Sequence, residues 1–211
     1  MIIILGLAFL FGIVKTETVF FDMPLLGKKV YLDAGHGGID SGATYKDILE
    51  KDINLEIVLK LEEELSKKGA LVYLTREKDE DLASENARYR KRSDLANRAL
   101  LIEKSDADIF ISIHLNSYYS SKWSGAQVFY TLKNEKNEAL ATLLQKKLNE
   151  NRNYSIIENM YMYDRITKTG ILIEVGFLSN ASDREKLLDD NYQKELVSKI
   201  VAGIINYYVV N

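Results

Sequence analysis

Apolar positions along this chain follow two alternating rhythms. Runs at 30–34, 70–75, 109–113, 126–131 and 170–175 are short and nearly continuous, as expected of buried strands. Between them the spacing widens to three and four residues. Ile53, Ile57, Val58, Leu61 and Leu65 predict an amphipathic helix from Asp52 to Gly69, where glycine supplies the left-handed stop. Leu95, Ala99 and Ile102 predict a second helix, capped by Ser93 or Asp94 and running to about Lys104. A third, marked by Leu140, Leu143, Leu144 and Leu148, covers 135–150. Ser182 and Glu185 have the spacing of a capping box opening a short helix to Leu188, and Tyr192, Leu196, Ile200, Ile204 and Ile205 mark the last helix. The charged stretch 76–92 reads as mostly loop, and tyrosine-rich 151–169 as irregular with a short strand near 160–163. Strands alternating with helices, without a repeat, predict an α/β fold: a single domain whose largely parallel twisted sheet is covered by helices on both faces.

Residues 2–14 break this rhythm with an uninterrupted apolar block. As a helix the block would reach only about 20 Å, short of the roughly 30 Å hydrocarbon core. It is long for a buried strand, so it reads as an export signal or membrane anchor. The expected division is a signal or anchor segment with its linker at 1–27 and a folded domain at 28–211, placing the domain outside the cytoplasm.

Composition narrows the chemistry. The chain has 211 residues, 46% of them hydrophobic, enough for one substantial core. A net charge of −3 supplies no basic field for nucleic acid. Cysteine is absent, which removes disulfides, thiol catalysis and Cys-based zinc sites together. Any metal must be held by histidine and carboxylates. There are only two histidines, and each follows an apolar run: His36 in the glycine-rich turn after 30–34, and His114 after 109–113. A third run, 170–175, carries Glu174 where an aliphatic residue is expected. Ligands delivered to the carboxyl ends of neighbouring strands are one way to assemble a catalytic zinc site.

Rival readings of the glycine-rich turn fail on residues. A dinucleotide fingerprint beginning at Gly35 and Gly37 meets Asp40 at its third glycine position. An esterase oxyanion loop needs a Gly-x-Ser-x-Gly elbow, which the chain lacks, and there is no Walker loop. The basic cluster Arg88, Arg90, Lys91 and Arg92 reads first as a solvated face and second as a contact for substrate carboxylates.

Four ordered motifs, DAGHGGIDSGA (33–43), LEKDINLE (49–56), ISIHLNS (111–117) and ILIEVGFLSN (171–180), resemble the zinc-dependent N-acetylmuramoyl-L-alanine amidases of bacterial cell-wall metabolism. The resemblance covers about 28–208, and KWSGAQVFY (122–130) is most similar to the germination-specific branch that acts on spore cortex. It implies that His36, Glu50 and His114 hold one zinc ion and that Glu174 is the catalytic base. Glu50 alone would read only as a first-turn glutamate favoured by the helix dipole. Where the family commonly has proline this chain has Ala34. The implied reaction is hydrolysis of the amide joining the muramic acid lactyl group to L-alanine, with Glu174 taking a proton from attacking water and returning it to the leaving amine. A raised Glu174 pKa, supplied by apolar Ile173, Val175 and Phe177, would serve that role. Asn116 and Ser117 are candidate substrate contacts, with ordinary turn residues as the alternative. Implied partners are peptidoglycan and an activating helper protein, with no nucleic acid and with membrane contact only through an uncleaved leader. Competing functions are a zinc carboxypeptidase or aminopeptidase on a related scaffold and a catalytically silent wall- or partner-binding module.

Overall fold

The computed structural model describes residues 23–210; the apolar block at 2–14 lies outside them. Strand β1 (Lys29–Ala34) leads through the glycine-rich turn to a small hairpin, β2 (Thr44–Tyr45) and β3 (Ile48–Leu49). Then come α1 (Glu50–Lys67), β4 (Leu71–Leu74), α2 (Arg90–Lys104), β5 (Ile109–Asn116) and β6 (Gln127–Tyr130). The chain continues with α3 (Asn137–Leu148), β7 (Ser155–Ile156), a 3-10 turn at Tyr163–Arg165, β8 (Thr169–Phe177), α4 (Ala181–Leu187) and α5 (Asp190–Val210). The main sheet has the order β4-β1-β5-β8-β6-β7, parallel throughout except for the antiparallel β6–β8 pair. The expected α/β architecture is therefore present. Helix α1 stops as expected, with Gly69 at φ +90°.

The two faces of the sheet differ, and the period-two alternation of a strand explains how. Val30, Leu32, Ala34, Ile109, Ile111, Ile113, Ile171, Ile173 and Val175 join the large core with α1, α3 and α5. The intervening residues face α2 and the 151–169 segment. Near the strand starts these are Tyr31, Phe110 and Leu172, which pack with Ala99, Ile102 and Tyr163. Toward the carboxyl ends they become Asp33, Ser112, His114 and Glu174, with Asp33 opposite Ser112 and His114 opposite Glu174 in register. One face is apolar from end to end; the other turns polar where the site lies.

Several local expectations are corrected. Helix α2 begins at Arg90, with no side-chain cap at Tyr89, because both expected caps are engaged by the preceding loop. Ser93 Oγ accepts from Ser84 N–H, while the Asp94 carboxylate accepts from Leu82 N–H and from Arg98. Helix α4 is capped by Asn180, whose side chain accepts from Asp183 N–H, rather than by Ser182. No strand forms at 160–163; the strand of this segment is β7, and Tyr163 opens the 3-10 turn instead. Strand β5 runs to Asn116, so His114 lies within it rather than just after it, while Glu174 lies within β8 (Thr169–Phe177) as expected.

Candidate metal centre and catalytic cleft

Three elements bring the site together. His36 sits in the turn after β1 at φ 61°, a left-handed conformation uncommon for residues other than glycine. The β2–β3 hairpin then returns the chain so that Glu50, first residue of α1, faces that turn: Glu50 N–H donates to Ala43 O, and Ala43 N–H donates to Glu50 Oε2 at 2.7 Å. From the other side, Leu115 N–H donates to Glu50 Oε1 at 3.0 Å. Both backbone donors fix the carboxylate before any metal is considered. His36 Nε2 and His114 Nδ1 each lie 3.1 Å from Glu50 Oε1, and the rings meet edge to face with centroids 5.0 Å apart. One donor atom from each of His36, Glu50 and His114 falls within 4.8 Å of the others, an arrangement that can hold a metal ion.

The surroundings set the charge states. Burial alone would raise the Glu50 carboxyl, but hydrogen bonds and charge from His114 and His36 hold it well below the usual carboxylate range. His36 Nδ1 donates to Asp40 Oδ2 at 2.9 Å, which leaves Nε2 turned toward Glu50, and Lys91 pairs with the same Asp40 oxygen at 3.0 Å. Such a carboxylate behind an imidazole fixes ring orientation and tautomer. Beneath the turn, two buried guanidiniums collect its carbonyls. Arg98 donates to Ala34 O at 2.7 Å and to His36 O, and Arg76 donates to Ala34 O at 2.9 Å and Gly35 O at 3.1 Å. Arg98 also pairs with Asp33 at 2.8 Å and Asp94 at 2.9 Å, and Asp33 accepts from Thr75 and Ser112.

Glu174 differs from every other carboxylate here. Its Oε2 is removed from solvent and has no hydrogen-bond partner. Burial pushes its pKa up, with a smaller push from Glu50, to about 7 despite the two histidines. The direction matches expectation, but the cause does not lie in Ile173 and Val175, which point into the opposite core. Below pH 4.5 this carboxyl is neutral folded and unfolded alike. Between pH 4.5 and 7 the unfolded chain loses a proton that the folded chain keeps, so stability falls as pH rises. Metal-free Glu174→Gln, neutral throughout, is therefore expected to melt above the wild type at pH 8, with the gap closing toward pH 4.5; calorimetry with chelator present checks this.

A cleft of about 490 Å³ is lined by His36, Glu50, His114 and Glu174 together, and also by Met160, Tyr161 and Leu172. Residues 30–206 match the family described as N-acetylmuramoyl-L-alanine amidase. The chain belongs to that family. Its members are hydrolases, and the match covers nearly all the described fold. The chain is 45% identical over 196 residues to the germination-specific N-acetylmuramoyl-L-alanine amidase of Bacillus subtilis, spanning 89% of this chain and 83% of that one. Among solved structures it resembles the CwlD amidase of Clostridioides difficile in complex with the GerS lipoprotein, with TM-score 0.83 and 39% identity over 87% of this chain and all of that one. The catalytic domain of the CwlV amidase from Bacillus (Paenibacillus) polymyxa matches with TM-score 0.75 and 32% identity over 87% and 99% of the two chains.

The six candidate positions, His36, Glu50, His114, Glu174, half-buried Asn116 and exposed Ser117, all line this one cleft. Sequence reasoning missed Asp40, Asp33, Arg76 and Arg98. Asp33 carried a signal, a charge inside an apolar run; nothing in the spacing of α2 marks Arg98 as buried. Gly35 was grouped with the turn glycines, yet its role is close approach: a Cβ there would lie 2.3 Å from His114 Cε1. Gly35→Ala is expected to push the His114 ring aside and weaken metal binding at least about tenfold, in line with losses from disturbed ligand support. A competitive zinc titration measures it.

Proposed function

We propose that this chain is a zinc-dependent N-acetylmuramoyl-L-alanine amidase that cleaves the lactyl–L-alanine amide of spore-cortex peptidoglycan. The observation carrying the reading is a solvent-excluded, unpartnered Glu174 oxygen in the same cleft as the three-ligand cluster. His36 through Nε2, Glu50 and His114 through Nδ1 would hold the metal. Two neutral imidazoles and one carboxylate suit zinc and leave the site net positive. A zinc ion there would serve as a Lewis acid toward the amide carbonyl and water.

The remaining steps belong to the chain. Glu174 takes a proton from attacking water at its carboxylate and returns it to the leaving alanine nitrogen. Asp40 keeps His36 in its ligating orientation, and the Arg98 and Arg76 guanidiniums hold the turn beneath it. Asn116 and Ser117 contact substrate at the rim. Residues 28–211 form the catalytic domain and 1–27 the segment that exports or anchors it, so that it acts outside the cytoplasm. Among the described residues no helix is long and apolar enough to cross a membrane. A helper protein is part of this reading, because the Clostridioides difficile relative was solved in complex with a lipoprotein.

Digestion of purified cortex and vegetative peptidoglycan, followed by mass analysis, tests the proposal. The expected result is release of intact stem peptides with a free L-alanine terminus from cortex alone. Loss of terminal residues from the peptide instead would favour a carboxypeptidase. His114→Ala is expected to lose both bound zinc and cleavage, read by metal analysis and muropeptide chromatography.

A further inference from the structure

The basic start of α2 meets Tyr161 at the mouth of the catalytic cleft. Arg90 and Lys91 are neutralised there by Asp81 and Asp40. Arg92 is not: it is exposed, and its guanidinium lies 4.7 Å from the centre of the Tyr161 ring. Arg165, from the 3-10 turn, places a second guanidinium 3.4 Å from the same ring and donates to Tyr161 O. Among the described residues neither arginine has a carboxylate within ion-pair distance. Two like charges held on one ring repel each other, and a bound anion would offset that repulsion.

The location indicates which anion. Tyr161, Leu95 and Lys91 line the catalytic cleft and also an adjoining apolar-walled groove that Arg92 lines as well. A stem peptide whose alanine nitrogen sits at Glu174 has to leave the cleft along some wall. Its second residue, a glutamate joined through the γ-carboxyl, keeps a free α-carboxylate only one residue beyond the scissile amide. We propose that Arg92 and Arg165, held on Tyr161, bind this carboxylate and make the peptide's charge a determinant of specificity. This rests on the amidase reading above. It gives Arg92 of the basic cluster a role beyond that of a solvated face, shared with Arg165, the two cations here without a carboxylate partner.

The test compares muramoyl-peptides whose second residue is glutamate with those carrying its neutral, nearly isosteric α-amide, using the full chain with zinc supplied. Wild-type kcat/KM is expected to be about tenfold higher on the carboxylate form, a size typical of charged hydrogen bonds at a partly exposed site. The ratio should fall to near one in Arg92→Gln/Arg165→Gln. Titration calorimetry with the free stem peptides, which needs no turnover, should show the same preference and the same loss. Equal wild-type handling of both forms in kinetics and calorimetry would overturn the subsite, as would a preference surviving in the double variant. Preferential binding without cleavage of either form would support the subsite while counting against the amidase reading.

Discussion

Glu174→Gln is expected to bind zinc as the wild type does and to lose amide cleavage by about 10²–10⁴-fold in kcat, the usual contribution of a positioned general base. The substitution preserves shape and removes only the ability to accept a proton. Glu174 lies opposite His114 in the β5–β8 register but outside the His36–Glu50–His114 cluster, so metal content should not change. Its unpartnered oxygen means that no internal hydrogen bond is lost on substitution. Rate should therefore separate from binding: kcat falls while KM for muropeptides stays within a few-fold. Steady-state kinetics alongside metal analysis measures both. Loss of zinc with the rate would instead make Glu174 a ligand, and full turnover would remove it from the chemistry.

The second large effect is structural. Arg98→Met should destabilise the protein by about 3–5 kcal/mol, the cost of breaking a buried ion pair from one side. Arg98 is 1% exposed, and its removal takes the buried countercharge from the Asp33 and Asp94 carboxylates and a donor from the Ala34 and His36 carbonyls at once. At roughly 2–4 °C per kcal/mol for a chain of this size, the melting temperature should fall by about 6–20 °C. Because the His36 carbonyl loses its donor, metal affinity should fall as well. Asp33→Asn in the same molecule should recover part of the loss, since it removes the uncompensated charge; the two substitutions then combine with less damage than their sum. Strict additivity in thermal melts would show that Asp33 and Arg98 do not stabilise one another.

Which parts of this arrangement could be read from sequence follows from where the information resides. Strand alternation is local, so Ile109, Ile111 and Ile113 on one face, with Phe110, Ser112 and His114 on the other, are visible in the letters. The same holds for Glu174 in β8 and for the helical spacing of α1. The family resemblance supplied Glu50, whose position is settled by a hairpin too short to leave a pattern. What local pattern could not supply were partnerships made across the fold. Ser93 and Asp94 have cap chemistry, but the 76–89 loop uses them; Arg98 has the look of a surface helix residue and lies buried sixty-five positions from Asp33. Asp40 differs from an ordinary turn aspartate only because His36 turns its Nδ1 toward it.

The claim underlying both the site and its chemistry is that His36, Glu50 and His114 share one metal ion. Anomalous diffraction at the zinc edge from zinc-loaded crystals tests it most directly. The predicted result is a single peak bounded by His36 Nε2, the Glu50 carboxylate and His114 Nδ1, about 2.0–2.2 Å from each donor, with Glu174 outside bonding distance. A peak coordinated by Glu174, or zinc bound only away from these three side chains, would contradict it.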